Sequence, residues 1–414
     1  MRWASEIAAR GMWSALHAGE VVDAAPGAEL HFPAAEVPRH EVRLVAIERR
    51  AAHSVPGARL HRFADLPRLL RAGDLVVVND AATLPASLRG VTARGEELEL
   101  RLSSPPAGAR LQGVMFGRGD WRTRTEHRPA PPRITAGERV MLGDELAATE
   151  GAGAGRSATE GAVVGGRARL DATAIAVTGR RATLDATAIA VGRRATLEAT
   201  VIAVTGRRAT LEASVRGEAL WRALYAIGAP VQYAHRREPL ALWSVQTAYA
   251  ARPWAVEMPS AGRALTWDTL LALRRAGIGV ATLTHAAGLG STGDAELDRA
   301  LPWPERYDIP ARTAAAIRAT RAAGGRVIAI GTTVVRALEA SLGAAGRGTA
   351  TLRLDGAHAL RVVDGLVSGL HVPGESHFDM LEAFAPRAHL HHGLVLAAAH
   401  GLSAHELGDA CLIA

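Results

Sequence analysis

The stretch "RVIAIGTTVVRALEA", residues 326–340, changes character at Gly331. Before it, Val327–Ile330 is an unbroken apolar run of the kind that forms a strand buried on both faces. After it come Thr332 and Thr333, and then a helical spacing that carries Arg336. Thr332 or Thr333 is expected to cap that helix by accepting from its orphan backbone N–H groups. Gly331 lets another group approach the backbone closely. Open α/β sheets hold ligands at the carboxyl ends of their strands, and a helix start there can take a carboxylate, phosphate or hydroxyl.

The same grammar recurs outward from this point. "TWDTLLALRRAGIGVATLTHAAGLGS" (266–291) reads as helix, glycine stop, strand and glycine-rich loop, with Thr266 the expected N-cap. "DLVVVND" (74–80) is another apolar run, closed by Asp80. Alternating helices and apolar strands imply an α/β fold, a mainly parallel sheet with helices on both faces. Four small-residue loops would meet at one sheet edge. They hold Ser260 and Gly262; His285, Gly288 and Gly290; Gly331 with the two threonines; and His371 with Ser376.

Residues 95–218 differ in kind. "EELELRL" and "GERVMLGD" are short alternating pieces between Gly and Pro, which suggests an inserted antiparallel β-barrel-like domain. Within it "GAGAGRSATEGAVVGG" (151–166) is low-complexity. A tandem repeat follows at 167–214, with equivalent leucines at Leu170, Leu184, Leu197 and Leu211 and a period of 13 or 14 residues. Each copy holds a β-branched segment and a Gly-Arg turn, as a meander requires. The arginine pairs at 180–181, 193–194 and 207–208 read as solvated turn residues. The α/β domain then comprises 30–94 and 219–414, preceded by an extension over 1–29.

Composition sets the outer bounds. The chain has 414 residues, 48% hydrophobic but only 4% aromatic, so alanine and valine must carry much of the packing. Net charge is +7, and every basic residue is arginine, the better bidentate ligand for phosphate. That permits a nucleic-acid partner, although from composition alone a codon bias replacing lysine is the simpler reading. Cys411 stands alone, which excludes an internal disulfide and paired-thiolate zinc sites. No apolar run reaches the ~18–20 residues that span a bilayer. The N-terminal stretch carries charge within its apolar part, so no signal peptide is expected. These features point to a cytoplasmic protein with no membrane segment.

Several blocks, in order, resemble the S-adenosylmethionine:tRNA ribosyltransferase-isomerase family of queuosine biosynthesis. They are "GDLVVVNDAATLPASLRG", "QTAYAARPWAVEMPSAGRALTWDTLLALRRAGIGVATLTHAAGLGS", "RVIAIGTTVVRALEA", "SGLHVPGESHFDMLEAFA" and "HELGDACLI". The resemblance implies an α/β domain with an inserted β-barrel. It also implies transfer of the ribosyl part of S-adenosylmethionine, as co-substrate, to the 7-aminomethyl-7-deazaguanine base of a tRNA anticodon stem-loop. Adenine and methionine leave and epoxyqueuosine remains. The sulfonium acidifies the ribose C5′ hydrogens, so a base is needed there; His285 and His371 are the candidates, and Asp80 would meet ribose hydroxyls or the attacking amine. Ser260, Gly262, Gly288, Gly290, Gly331, Thr332, Thr333, Arg336 and Ser376 would bind substrate, with Arg336 and the threonines on a carboxylate or phosphate. A monomer without metal is expected, and "HLHHG" (389–393) reads as surface helix or loop.

The chain departs from the family pattern at Ala81-Ala82, where a Thr-Arg pair is replaced, and at Arg263-Ala264-Leu265, where a histidine and an aromatic are replaced. A catalytically altered RNA-binding paralogue, using the arginine-rich repeats as its surface, is the alternative. An ordinary methyltransferase lacks support, because no G-x-G-x-x-G fingerprint follows an early strand.

Overall fold

A computed structural model describes residues 30, 37–49, 57–143, 195–234, 238–404 and 407–414. The 1–29 extension, the low-complexity stretch and the first two repeat copies lie outside the described residues. The chain opens with β1 (Arg43–Ile47), β2 (Ala58–Arg62), α1 (Leu66–Leu69), β3 (Leu75–Asn79) and the short β4 (Ala81–Thr83). Then come β5 (Ser87–Thr92), β6 (Glu97–Leu102), β7 (Arg110–Phe116), β8 (Arg139–Gly143), β9 (Thr196–Thr205) and β10 (Arg208–Ala213). The chain returns through α2 (Glu218–Ile227), β11 (Arg252–Ala255), α3 (Trp267–Arg275), β12 (Gly279–His285), α4 (Ala295–Arg299) and β13 (Glu305–Ile309). It closes with α5 (Ala311–Ala322), β14 (Val327–Ile330), α6 (Thr332–Ser341), β15 (Gly346–Ala350), β16 (Gly365–Gly369), α7 (Ser376–Leu381), α8 (Arg387–Ala399) and β17 (Ala410–Ile413).

Nine strands form one sheet in the order β15-β13-β12-β3-β14-β16-β17-β1-β2. Parallel pairing joins β12, β3, β14 and β16 at its centre, and β17 to β1. The remaining pairs, towards both edges and between β16 and β17, are antiparallel. The sheet is therefore mixed rather than mainly parallel: its central strands are fed by helical crossovers, while β2 and β15 pair antiparallel at the two edges. Alternation along the all-buried β3 sends Leu75 and Val77 to one apolar layer and Val76 and Val78 to the other. The first layer packs Val334 and Leu338 of α6, Phe378 of α7 and Leu390 of α8; the second packs Leu66 of α1 and Leu270 and Leu273 of α3. Helices thus cover both faces, as the apolar runs require.

The inserted part is a closed six-stranded barrel, β10-β7-β6-β5-β8-β9, antiparallel throughout. Its first strand is Ser87–Thr92, within the segment that sequence reading assigned to the α/β part. That strand alternates strictly between half-buried and buried positions, but only three residues separate it from β4. Repeat copies three and four supply β9 and β10, which pair with each other, and Leu197 and Leu211 both enter the barrel core. Gly143 at the end of β8 faces Thr196 at the start of β9, so the two ends of the intervening segment are paired neighbours.

Arg207 is no solvated turn residue. Its side chain is mostly buried, 3.9 Å from Asp294 and 6.0 Å from the Phe116 ring centre, while Arg208 stacks over Trp303 at 4.3 Å. Glu99 is buried in the barrel and accepts from Arg101 Nε (2.7 Å), Arg128 Nη1 (2.6 Å) and Ser87 Oγ (2.8 Å). Burial pushes its carboxyl up, but the two guanidinium groups outweigh that and hold it down at about 2. His389 also departs from expectation: α8 is a helix, yet His389 is buried against the sheet, with Nδ1 3.3 Å from the Glu48 carbonyl.

Candidate functional site

The four parallel central strands bring Asn79-Asp80, His285, Gly331 and Gly369 to one rim. Asn79 organises it. Its Nδ2 donates to the His285 carbonyl (3.0 Å), and its Oδ1 accepts from the backbone N–H of His285 (2.9 Å) and Ala81 (3.1 Å). The buried side chain acts as an extra peptide unit, welding the ends of β3 and β12 where the ladder stops. The same Nδ2 lies 3.4 Å from Thr333 Oγ1, which ties in the start of α6.

His285 is fully buried, and neither ring nitrogen makes a hydrogen bond. Burial, reinforced by the Arg336 guanidinium, pushes its imidazole down to about 3, so the ring is neutral near pH 7. Its Nε2 stands 3.4 Å from Glu305 Oε2. Glu305 opens β13, pairs with Arg336 Nη1 and accepts from the Gly288 N–H at 2.5 Å. Burial pushes this carboxyl up to about 7, against the pull of Arg336 and the Gly288 amide; Glu257 adds to the rise. Arg336 gives its other donors to the carbonyls of Leu352 (3.2 Å), Trp303 (3.3 Å) and Ala350 (3.2 Å). Its guanidinium is an internal brace facing Glu305.

A second carboxylate holds the same loop. Glu257 accepts from the Gly290 N–H at 2.6 Å and from the Tyr233 hydroxyl, which itself accepts from Ser291 N–H at 3.1 Å. Burial pushes Glu257 up, opposed by Tyr233, Gly290 and the barrel residue Arg101. Gly293, with φ of +66°, ends the loop against the barrel connection, where an added Cβ would overlap the Thr125 carbonyl oxygen. Loop 286–293 is thus clamped by two uphill-shifted carboxyls and backed by the barrel.

The other expected residues take distinct places. Asp80 leaves β3 on the face opposite Asn79, and Thr284 Oγ1 donates to it at 2.5 Å. Gly331 has φ of +92°, a left-handed value that explains the glycine, and Gly331 itself is the N-cap of α6. Neither Thr332 nor Thr333 caps that helix by its side chain; both are its first residues, half-buried. Thr266 does cap α3, accepting from Thr269 N–H at 3.3 Å. Ser260 and Gly262 lie in a single 3-10 turn whose Ala261 sits near Gly331, and Ser260 lines a cavity of about 20 Å³ with Asp409. His371 follows β16, with Nε2 3.1 Å from Ser368 Oγ and its ring stacked on His377 at 4.7 Å between centres. Ser376 is exposed at the start of α7.

His285 and His371 share the rim but leave strands three positions apart, about 14 Å at the usual strand spacing. They do not form a pair. The departures face inward: Arg263 is buried and donates to the carbonyls of Ser244 (3.3 Å) and Val37 (3.0 Å), while Ala264 and Leu265 join the apolar layer under α3. Ala81 is buried in β4, which pairs with β11. Asn79, Glu257, Glu305 and Tyr233 were missed from the sequence. Asn79 at the end of an apolar run was the visible signal; "PWPERYDIP" offers none for Glu305.

A model of the queuosine biosynthesis protein family matches residues 27–413. A protein of Gloeobacter violaceus called S-adenosylmethionine:tRNA ribosyltransferase-isomerase is 30% identical over 387 residues, covering 91% of this chain and 90% of that one. One of the same name from Methylobacterium is also 30% identical, over 91% of this chain and 92% of its own. The crystal structure of a Thermotoga maritima S-adenosylmethionine tRNA ribosyltransferase aligns at 17% identity and a TM-score of 0.44, covering 93% of this chain and 98% of that one. With the family match running from the first described residues to the last strand, this chain belongs to the queuosine biosynthesis protein family.

Proposed function

We propose that the chain transfers and isomerises the ribosyl part of S-adenosylmethionine onto the 7-aminomethyl-7-deazaguanine base of a tRNA anticodon stem-loop. Epoxyqueuosine forms, and adenine and methionine are released. The observation that carries this reading is the end-to-end family match, with relatives of that name covered over nine-tenths of their length. The rim supports it chemically. Proton abstraction beside a sulfonium needs a base poised near neutrality, and Glu305, pushed up to about 7, meets that need better than His285 at about 3. Glu305 also keeps a tenth of its side chain open, whereas His285 is closed.

In this arrangement Glu305 takes the C5′ proton, and neutral His285 shapes the wall beside it. Asp80 meets the ribose hydroxyls, and the Gly288–Gly290 backbone and the start of α6 at Gly331–Thr333 border the substrate. Ser260, Gly262, His371 and Ser376 serve its far end, and Arg336 holds Glu305 in place. The protein acts as a cytoplasmic monomer; no helix among the described residues is long and apolar enough to cross a membrane. Purified protein given S-adenosylmethionine and tRNA bearing the 7-aminomethyl-7-deazaguanine base should release adenine, read by chromatography. Absence of adenine at any pH between 6 and 9 (the range on the order of two units around a neutral base) overturns the reading.

A further inference from the structure

A roomy cavity lies away from Glu305, on the opposite face of the sheet. It has a volume of about 640 Å³ and runs between α3 and β12, lined by Trp267, Leu270 and Arg274 of α3, Val280 and Thr282 of β12, and Tyr249. Leu283 and His285 point to one face of β12, and Val280 and Thr282 therefore point to the other. Trp267 stands at the amino end of α3 with 62% of its surface exposed, and Leu271 one turn on is 45% exposed. What sets Trp267 apart from the more exposed Trp243 is its place. It lines the cavity and has the exposed Leu271 beside it on the same helix, giving a small apolar platform that a flat ligand can cover. Arg274 follows Trp267 by seven residues, two turns along the same helical face. No carboxylate is among the residues lining the cleft.

We propose that this cleft is a nucleotide subsite for the RNA substrate. An unpaired base stacks on the Trp267 indole, and Arg274 meets a neighbouring phosphate. The chemistry of the lining selects this occupant: a flat apolar wall ending in an exposed aromatic ring suits a splayed base. Asp80 acts on Tyr249 from beyond the lining, but Arg274 is the one charged group in the lining itself, which suits a phosphate. The reacting base belongs at the Glu305 side of the rim, so the cleft across the sheet takes a nucleotide flanking it. The inference rests on the RNA-substrate reading above and extends it to a surface that no motif in the chain announces.

Fluorescence anisotropy with a labelled RNA stem-loop tests it, using the full chain and the variants Trp267→Ala, Trp267→Phe and Arg274→Gln. Trp267→Ala should weaken RNA binding on the order of tenfold, the usual effect of removing one stacking platform. Trp267→Phe, which keeps a ring, should restore most of that loss. Arg274→Gln should lower the slope of log affinity against log salt by about one. Equal RNA affinity in wild type and Trp267→Ala overturns the proposal while wild-type adenine release leaves the enzymatic reading standing. A loss of S-adenosylmethionine affinity by calorimetry in Trp267→Ala, with RNA affinity intact, assigns the cleft to the adenosyl group and also overturns it. A wild type that neither binds the stem-loop nor releases adenine removes both readings.

Discussion

Replacing Asn79 by alanine probes the weld at the centre of the rim. The amide serves three buried backbone groups: the N–H and C=O of His285 and the N–H of Ala81. Each orphaned buried group costs about 1–3 kcal/mol, and a water entering the vacated space recovers part of that. Asn79→Ala should therefore lose about 3–5 kcal/mol, read as a lower urea midpoint at unchanged slope. Asn79→Asp sharpens the test. An ionised carboxylate still accepts from both N–H groups but opposes the His285 carbonyl, whereas the protonated acid can donate to it. Burial raises the folded pKa of such an aspartate above its unfolded value. Its stabilising contribution is then complete below the unfolded pKa and lost as pH rises through the folded one, so Asn79→Asp should approach wild-type stability on acidification. A loss below about 1 kcal/mol in Asn79→Ala would refute the claim that this side chain substitutes for a peptide group.

Three further outcomes follow from the geometry. If Glu305 is the base, kcat/KM should climb as pH rises through about 7, since the carboxylate is the active form, and Glu305→Gln should abolish turnover together with that limb. In the barrel, Glu99 has its folded pKa depressed from 4.5 to about 2, so its contribution is present above 4.5 and drains away as pH falls towards 2. That shift corresponds to about 3 kcal/mol, and Glu99→Gln should remove the acid sensitivity while lowering neutral stability by about 3–5 kcal/mol, because two guanidinium groups lose their counter-charge. Replacing 144–195 by a two-residue turn should leave thermal stability within about 5 °C, since Gly143 and Thr196 are already paired; collapse of the barrel would show that the excursion holds it together.

Apolar patterning carried the architecture into the sequence unusually clearly. "DLVVVND" and "VIAIG" read as central strands because burial on both faces leaves little room for polar residues. "GVATLTH", with its two threonines and half-buried start, is legible instead from its place between a glycine stop and a glycine-rich loop. Edge strands such as "GRGTA" at β15 carry no such signature, so the antiparallel borders were invisible. The barrel was legible from its period-2 pieces, though its first strand looked like a tail of the preceding loop. At the site, glycine and histidine loops were found because they have local patterns. Glu257 and Glu305 act by meeting backbone amides more than ten residues away, Gly290 and Gly288, and only the folded chain reveals that pairing. His285 and His371 looked equivalent in the text; strand order separates them.

The barrel's last two strands are copies of one sequence unit, and those copies are hydrogen-bonded to each other. A strand that recognises its own duplicate cannot tell a copy in the same chain from one in a neighbouring molecule. Crowding two chains together therefore offers a route to exchanged strands, in which β9 of one protomer completes the cylinder of another. The distinction between intramolecular closure and interlocked dimers then rests on concentration and on the length of chain between copies, and not on any difference in side chains.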